Sequence, residues 1–300
     1  MHALELELGE EVAGPRTRGP WARAARRFVR QRSALAALVV LVAIFVPALF
    51  AGHLAPYDFT VPDFPGLYSA PSWHHLFGTD VAGRDSFSRA LHGIRTSELL
   101  ALQVAVGATL LGTLVGAIAG YTGRWADNLF MRATEFVAFF PALAVLFTAI
   151  ILLGTPTPQM LRNVLVLYMW TPIARVVRAE LVSLREREYI EAARASGAGP
   201  LRIVLRHLLP NAAGSLIVAT TATLGQVILL EATVGFFNYG INPERDPSLG
   251  NLIATGVQQG VPLDKFWWLW ALPAAVLVVM LVCVNVLGDA LDDALSVTRG

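Results

Sequence analysis

The chain has 300 residues, is 55% hydrophobic and only 15% charged, and has a mean hydropathy of +0.56. Soluble domains carry roughly 25% charged residues, so this composition excludes an ordinary soluble domain and points to a membrane protein. The net charge of +1 says little as a sum, and the single cysteine, Cys283, excludes an internal disulfide and a cysteine-based metal site.

In chain order, residues 1–33 form a basic segment with Arg16, Arg18, Arg23, Arg26, Arg27, Arg30 and Arg32. An apolar run over 34–52 follows. It exceeds the roughly 7–15 apolar residues of a signal-peptide core, so it reads as an uncleaved spanning helix and not as a cleaved leader. A spanning helix needs about 20 mostly apolar residues. Runs over 98–120, 132–153, 161–182, 212–235 and 266–288 meet that need and bring the expected count to six. Pro47, Pro141, Pro172 and Pro273 fall inside these runs, which membrane helices tolerate better than soluble ones.

The arginines set the expected orientation. Basic residues concentrate on the cytoplasmic side, so the N-terminal segment is placed inside. Six spans then put 121–131, the loop 183–211 and the tail 289–300 inside as well. Only Arg84, Arg89, Arg95, Arg162, Arg245 and Lys265 fall outside, among 23 basic residues in total. The outer segments are 53–97 and 236–265. Asp85 is placed to cap a short helix there, with Phe87, Leu91 and Ile94 on one face. The stretch "NYGINPERDPSLGN" reads as a turn-rich loop.

The second span, "VGATLLGTLVGAIAGY", carries Gly112, Gly116 and Gly120 four residues apart. Such a ridge lets membrane helices approach closely and pack, either on another span or on a second chain. In the fifth span, Thr220, Thr223 and Gln226 fall roughly on one side, with Glu231 near the outer end. Polar groups at this depth face the bundle or a cavity, so these three are candidates to line a path. For each threonine, back-bonding to its own helix is the competing reading. Glu135 and Arg132, three residues apart, read as a local pair. His74, His75 and Asp80 lie close in sequence, but adjacent histidines are poor joint ligands and no HExxH occurs, so no metal site is assigned. No Ser/His/Asp set stands out. The one lysine, Lys265, sits in "LDKFWW" without the glycine and Ser/Thr of a phosphate-binding loop, so nucleotide chemistry has to come from partners.

The polar loop between the fourth and fifth spans reads "EYIEAARASGAGPLRIVLRHLLPN", Glu188 to Asn211. Ala192, Ala195 and Ser196 make one small helical face, and Glu191 follows Arg187 by four residues, a modest pair. Gly197 supplies a left-handed stop, and Pro200 starts a second helix without losing a bond. By pattern alone this helix–Gly–helix unit is either a shaped knob or a solvated connector.

The stretch resembles the EAA motif of ABC-importer permeases, with Glu191, Ala192, Ala193, Gly197 and Leu209-Pro210 in register and His207 as a departure. Four more segments resemble the dipeptide/oligopeptide/nickel branch of those permeases: "FGTDVAGRDSFSRALHGIR", "GYTGRWADNLFMR", "EATVGFFNYGINPERDPSLGNL" and "NVLGDALDDAL". They occur in family order across most of the chain. Phe237-Asn238-Tyr239-Gly240 and Leu249 depart from the usual branch sequence.

The resemblance implies an all-α, six-span type I importer fold in a bacterial inner membrane, with a permease core over 98–288. It implies that Glu188, Glu191, Ala192, Ala193, Ser196 and Gly197 belong to a coupling helix that docks on a cytoplasmic ATPase. It also implies partners: a second homologous permease, two ATPase subunits that bind ATP and Mg, an external substrate-binding protein, and lipid, with no nucleic acid and no cofactor in this chain. The spans hold no histidine, which favours a peptide over a bare nickel ion, the alternative cargo being nickel or another small solute. Two other classes remain. A secondary transporter needs acids within its spans, and these are scarce. An intramembrane enzyme needs a catalytic set, and none is recognisable.

Overall fold

The structure is a computed structural model and describes residues 20–154, 156–258 and 262–296. Arg16 and Arg18 lie outside the described residues, as does the end of the tail beyond 296. Among the described residues the chain is helical, with one isolated antiparallel bridge, Thr79 to Asp85.

Helix α1 (Pro20–Arg30) is arginine-rich and α2 (Arg32–Leu49) is apolar. Extended Gln31 separates them, and its amide reaches Asp293 at 3.5 Å. Small residues Ala34, Ala37 and Ala48 are the buried face of α2, which lies on the first of the long core helices and on the last helix of the chain.

Helix α3 spans Ser86–Thr122. The Asp85 carboxylate caps it by accepting from the Ser88 amide at 2.7 Å. The cap was expected, but the short helix was not found: the same helix continues for 37 residues through the second span. The sequence hides this because Arg89, Arg95 and Glu98 break the apolar run. A helix needs only one packed face, and here Leu91, Ile94 and Ser97 supply it.

After Gly123 (φ +64°), α4 (Arg124–Phe139) and α5 (Ala142–Leu153) form an elbow bent by 80°. Pro141 explains the break. It carries no amide hydrogen and forces Phe140 into an extended conformation. The expected third span, 132–153, is therefore two helices and not one.

Helix α6 (Pro158–Leu184) packs along α3 in the most extensive helix pair of the structure. The glycine ridge makes this possible. A Cβ on Gly116 would lie 2.5 Å from the Ala174 carbonyl oxygen, one on Gly112 2.7 Å from that of Trp170, and one on Gly120 3.0 Å from that of Arg178. The partner of Gly112, Gly116 and Gly120 is thus a helix of the same chain, and dispersion between near-touching backbones drives the contact.

A short polar helix, α7 (Glu188–Ala195), precedes α8 (Pro200–Phe236). The expected second basic helix is not separate from the fifth span: the two are continuous through a π turn at Val204–Leu208. Pro210 cannot bond back to Arg206, and the widened turn accommodates its ring. Asn211 donates its side-chain amide to the His207 carbonyl at 2.6 Å, across the end of the turn.

Helix α9 (Leu249–Gln258) lies within the expected outer loop, and α10 (Trp268–Ser296) closes the bundle. Gly250 brings α9 onto the Ala232 backbone, and Gly256 brings it onto that of Leu269.

Among the described residues, four helices are long and apolar enough to cross a membrane: Arg32–Leu49, Ser86–Thr122, Pro200–Phe236 and Trp268–Leu295. The α4–α5 elbow makes a fifth if taken as one span. Helix α6 matches the remaining expected span in length, but Arg162, Asn163, Arg175, Arg178 and Glu180 lower its hydropathy.

The helices alternate in direction. α8 and α10 run antiparallel, with Thr221 near Gly288 and Gly225 near Val284 and Asn285. Hence α1, the α3–α4 junction, α7 and the C-terminus of α10 share one end of the bundle. Residues 53–85, 237–248 and 262–267 share the other.

Candidate functional site

At the end that carries α7, side chains lock the junctions of four helices. Arg178 on α6 clasps Asp127 on α4 in a bidentate pair, at 2.9 and 2.6 Å. Arg185 donates to the Gly120 carbonyl at 3.0 Å and so satisfies a C-terminal group of α3. The Ser215 hydroxyl donates to Glu180, joining α8 to α6. The sequence reading missed these pairs. Charges inside an apolar helix were a signal that Arg178 and Glu180 have partners, but nothing marks Asp127, 51 residues from Arg178, as the one.

Helix α7 stands on this platform. Ile190 is its anchor, fully buried at 0% exposure. Glu188, Glu191, Ala192, Arg194 and Ala195 are exposed, and Ala193 is half-buried. The helix ends in a Schellman turn: the Gly197 amide donates to Arg194 at 2.9 Å and the Ala198 amide to Ala193 at 3.0 Å. Gly197 has φ +79°, and a Cβ there would meet nothing within 4 Å. The Ser196 hydroxyl donates to the Ala192 carbonyl at 2.8 Å. Pro200 then opens α8, so the knob is fixed at both ends while its alanine and acidic face is uncovered.

The fifth-span residues divide. Thr220 donates to the Leu216 carbonyl at 2.7 Å and meets the Thr109 hydroxyl at 2.8 Å, while Thr223 is buried and donates to Ala219 at 2.9 Å. Both threonines are thus engaged in helix packing and back-bonding. Gln226 is exposed on α8. Glu231 is buried at 2% and accepts from Ser97 on α3 at 2.8 Å. The Arg132–Glu135 pair forms at 3.3 Å on the surface.

The opposite end is tied around Asp80. It accepts from the amides of Ala82 and Arg84 at 2.8 and 3.0 Å, from Arg84 Nε at 2.9 Å, and from buried Arg89. Arg89 also donates to the Pro243 carbonyl at 3.0 Å, which fastens the segment after α8 to the start of α3. His75 meets Asp85 at 2.9 Å, not Asp80, and His74 is exposed, so the three residues considered for a metal are not brought together.

Apolar helices long enough to cross a bilayer, packed on one another along their length, define an integral membrane protein. The chain belongs to the family described as binding-protein-dependent transport system inner membrane component, whose pattern matches residues 112–297. Residues 19–71 match the N-terminal transmembrane domain of oligopeptide transport permease C.

The chain is 37% identical over 295 residues to a peptide permease protein of Brucella suis biovar 1, covering 98% of this chain and 96% of that one. It is also 37% identical over 277 residues to the oligopeptide transport system permease protein OppC of Mycobacterium tuberculosis, covering 90% and 92%. Its fold is similar to a chain of the MetNI methionine ABC transporter in inward-facing conformations. There the TM-score is 0.55 at 22% identity, covering 69% of this chain and 96% of that one.

Proposed function

We propose that this chain is one of two permease subunits of an ATP-driven importer of short peptides. It crosses the membrane six times, with α1 and α7 on the cytoplasmic side, and α6 supplies the sixth span. The basic residues of α1, Arg23, Arg26, Arg27 and Arg30, support this orientation. The charges of α6 are compatible with a span because Arg178 and Arg185 reach partners at its end and its opposite face is buried on the glycine ridge.

A second permease completes the path, two ATPase subunits bind ATP and Mg, and an external binding protein delivers the peptide. The peptide assignment rests on relatives named as peptide and oligopeptide permeases and on the absence of histidine from the apolar stretches 98–120 and 212–235.

The observation that carries the reading is α7: an exposed small-and-acidic helix anchored by buried Ile190 and ended by the Gly197 turn. Motion of an ATPase docked there passes to α6 through Leu184 and to α8 through Pro200. Thr220 and Thr223 hold the helix pair, and Gln226 is the polar side chain of this set left to face the path.

Reconstitution tests the reading. The complex, purified through a tag on this chain and placed in liposomes with its binding protein, takes up tri-alanine only with ATP and Mg. Uptake of nickel and not peptide reassigns the cargo. Peptide uptake driven by an ion gradient without ATP refutes the ATPase coupling.

A further inference from the structure

Helix α1 ends one residue before α2, the apolar helix that enters the bilayer. Extended Gln31 breaks the backbone between them, and its side-chain amide ties the junction to Asp293 near the end of α10. Helix α1 lies against both α10 and α2, with Ala24 buried at 5% exposure. These ties hold α1 at the membrane boundary, beside the first turn of a span.

The four arginines of α1, Arg23, Arg26, Arg27 and Arg30, stand in a helix without an acidic residue. At about 100° per residue they fall within one arc of about 100°. All four are exposed, and no ion pair among the described residues engages them. Arginines of the core show the contrast: Arg84, Arg89 and Arg178 each meet a carboxylate.

Beside the arginine arc, Ala22, Ala25 and Val29 make a second exposed strip, and this one is apolar. The two strips match the two layers of a membrane boundary. An arginine-rich amphipathic helix sinks its apolar side to the level of the first acyl carbons while its cations meet lipid phosphates. That attraction fades within a Debye length of the surface. It therefore needs a helix held at the boundary, which the contacts with α10 and α2 supply.

We propose that α1 is a docking site for acidic phospholipids of the adjacent leaflet. Arg23, Arg26, Arg27 and Arg30 pair with the headgroup phosphates, and Ala22, Ala25 and Val29 rest on the acyl chains. The site seats the start of α2 and the end of α10 at one depth. It depends on α2 crossing the bilayer and is independent of the cargo.

The test uses the intact complex with Cys283→Ser and Val29→Cys in this chain, labelled with bimane. The complex is placed in phosphatidylcholine nanodiscs with a minor fraction of lipid that carries a nitroxide near its ester. Quenching is counted above that of the same complex without Val29→Cys. One arginine at an acidic surface is worth about a fivefold preference. Nitroxide-bearing phosphatidylglycerol should therefore reach half-maximal quenching at a mole fraction at least about fivefold below that of nitroxide-bearing phosphatidylcholine. Raising salt from about 0.1 M to about 1 M shortens the Debye length from about 10 to about 3 Å and should erase most of the difference.

Arg23→Gln/Arg26→Gln/Arg27→Gln/Arg30→Gln should bring the two lipids together. Arg23→Lys/Arg26→Lys/Arg27→Lys/Arg30→Lys keeps the charge and should keep them apart. If the glutamine variant accumulates poorly, the salt titration and the lysine variant decide. Equal quenching by the two lipids at low salt overturns the headgroup site. Quenching by neither places α1 under another protein and overturns it too. A preference that appears only after residues 1–15 are deleted assigns the arginines to Glu5, Glu7, Glu10 and Glu11 of the same chain, and lipid docking then fails.

Discussion

Gly197 offers a perturbation whose local cost can be worked from the structure. Its φ of +79° is disfavoured for side-chain-bearing residues, yet a Cβ there meets nothing within 4 Å. Substitution therefore brings no clash within this chain. The penalty is conformational, about 1–2 kcal/mol for an L-residue in the left-handed region, and more for a β-branched one. It falls on the two Schellman bonds to Ala193 and Arg194.

A penalty of 1–2 kcal/mol shifts the closed-to-open ratio of that turn by a factor of about 5–30. It leaves Ile190 and the helix core untouched. Asparagine tolerates positive φ, alanine less so and valine least. In membrane vesicles, Gly197→Asn should keep most peptide uptake, Gly197→Ala should lose part of it, and Gly197→Val should lose nearly all. Retention of the ATPase subunits on purification should follow the same order at equal expression. Full uptake and normal ATPase retention by Gly197→Val would refute the reasoning that this turn shapes a docking surface.

Gly116→Ala puts a methyl group 2.5 Å from the Ala174 carbonyl oxygen; the overpacking costs about 1–3 kcal/mol. It should lower the midpoint of thermal unfolding in detergent, while Gly52→Ala, where a Cβ meets nothing within 4 Å, should not. Arg178→Ala breaks the bidentate pair with Asp127 and costs about 1 kcal/mol after solvent screening. Arg178→Lys should not restore it, because an ammonium lacks the planar fork; equal stability of the lysine variant and wild type would contradict this. In a Cys283→Ser background, cysteines at exposed Trp73 and Glu244 should react with an impermeant maleimide from outside intact cells, and Ala193→Cys should not; the reverse pattern would invert the proposed topology. The purified single chain should hydrolyse no ATP, since Lys265 is its only lysine and stands outside any phosphate loop; turnover free of contaminating ATPase would contradict it.

Hydropathy made the long helices legible, and short-range chemistry made some ends legible. Asp85 as a cap and Gly197 as a stop are both written in a few adjacent residues. The glycine ridge announced a close contact, but spacing along one helix does not name the other, and α6 became its partner only in three dimensions. The elbow at Pro141 was hidden because proline inside a span usually bends a helix modestly; here the pre-proline residue, Phe140, turns fully extended. Continuity of α8 across Pro210 was hidden for the opposite reason, since a π turn absorbs a proline that reads as a break. The pairs Arg178–Asp127, Arg89–Asp80 and Glu231–Ser97 were out of reach, because a charge shows that it needs a partner without showing where that partner lies. Depth and face mark Thr220 and Thr223 in the sequence, and the i−4 back-bonds they make follow from the helix itself.

If ATP hydrolysis in a partner reaches this chain at α7, as proposed, that helix must touch the ATPase. A photo-crosslinking residue in place of Ala193, in the complex within native membranes, measures that contact directly. The expected product is an adduct between this chain and a subunit that carries a phosphate-binding loop, lost when the Gly197→Val substitution is added. An actively importing complex in which Ala193 crosslinks only to lipid, or to nothing, would contradict it.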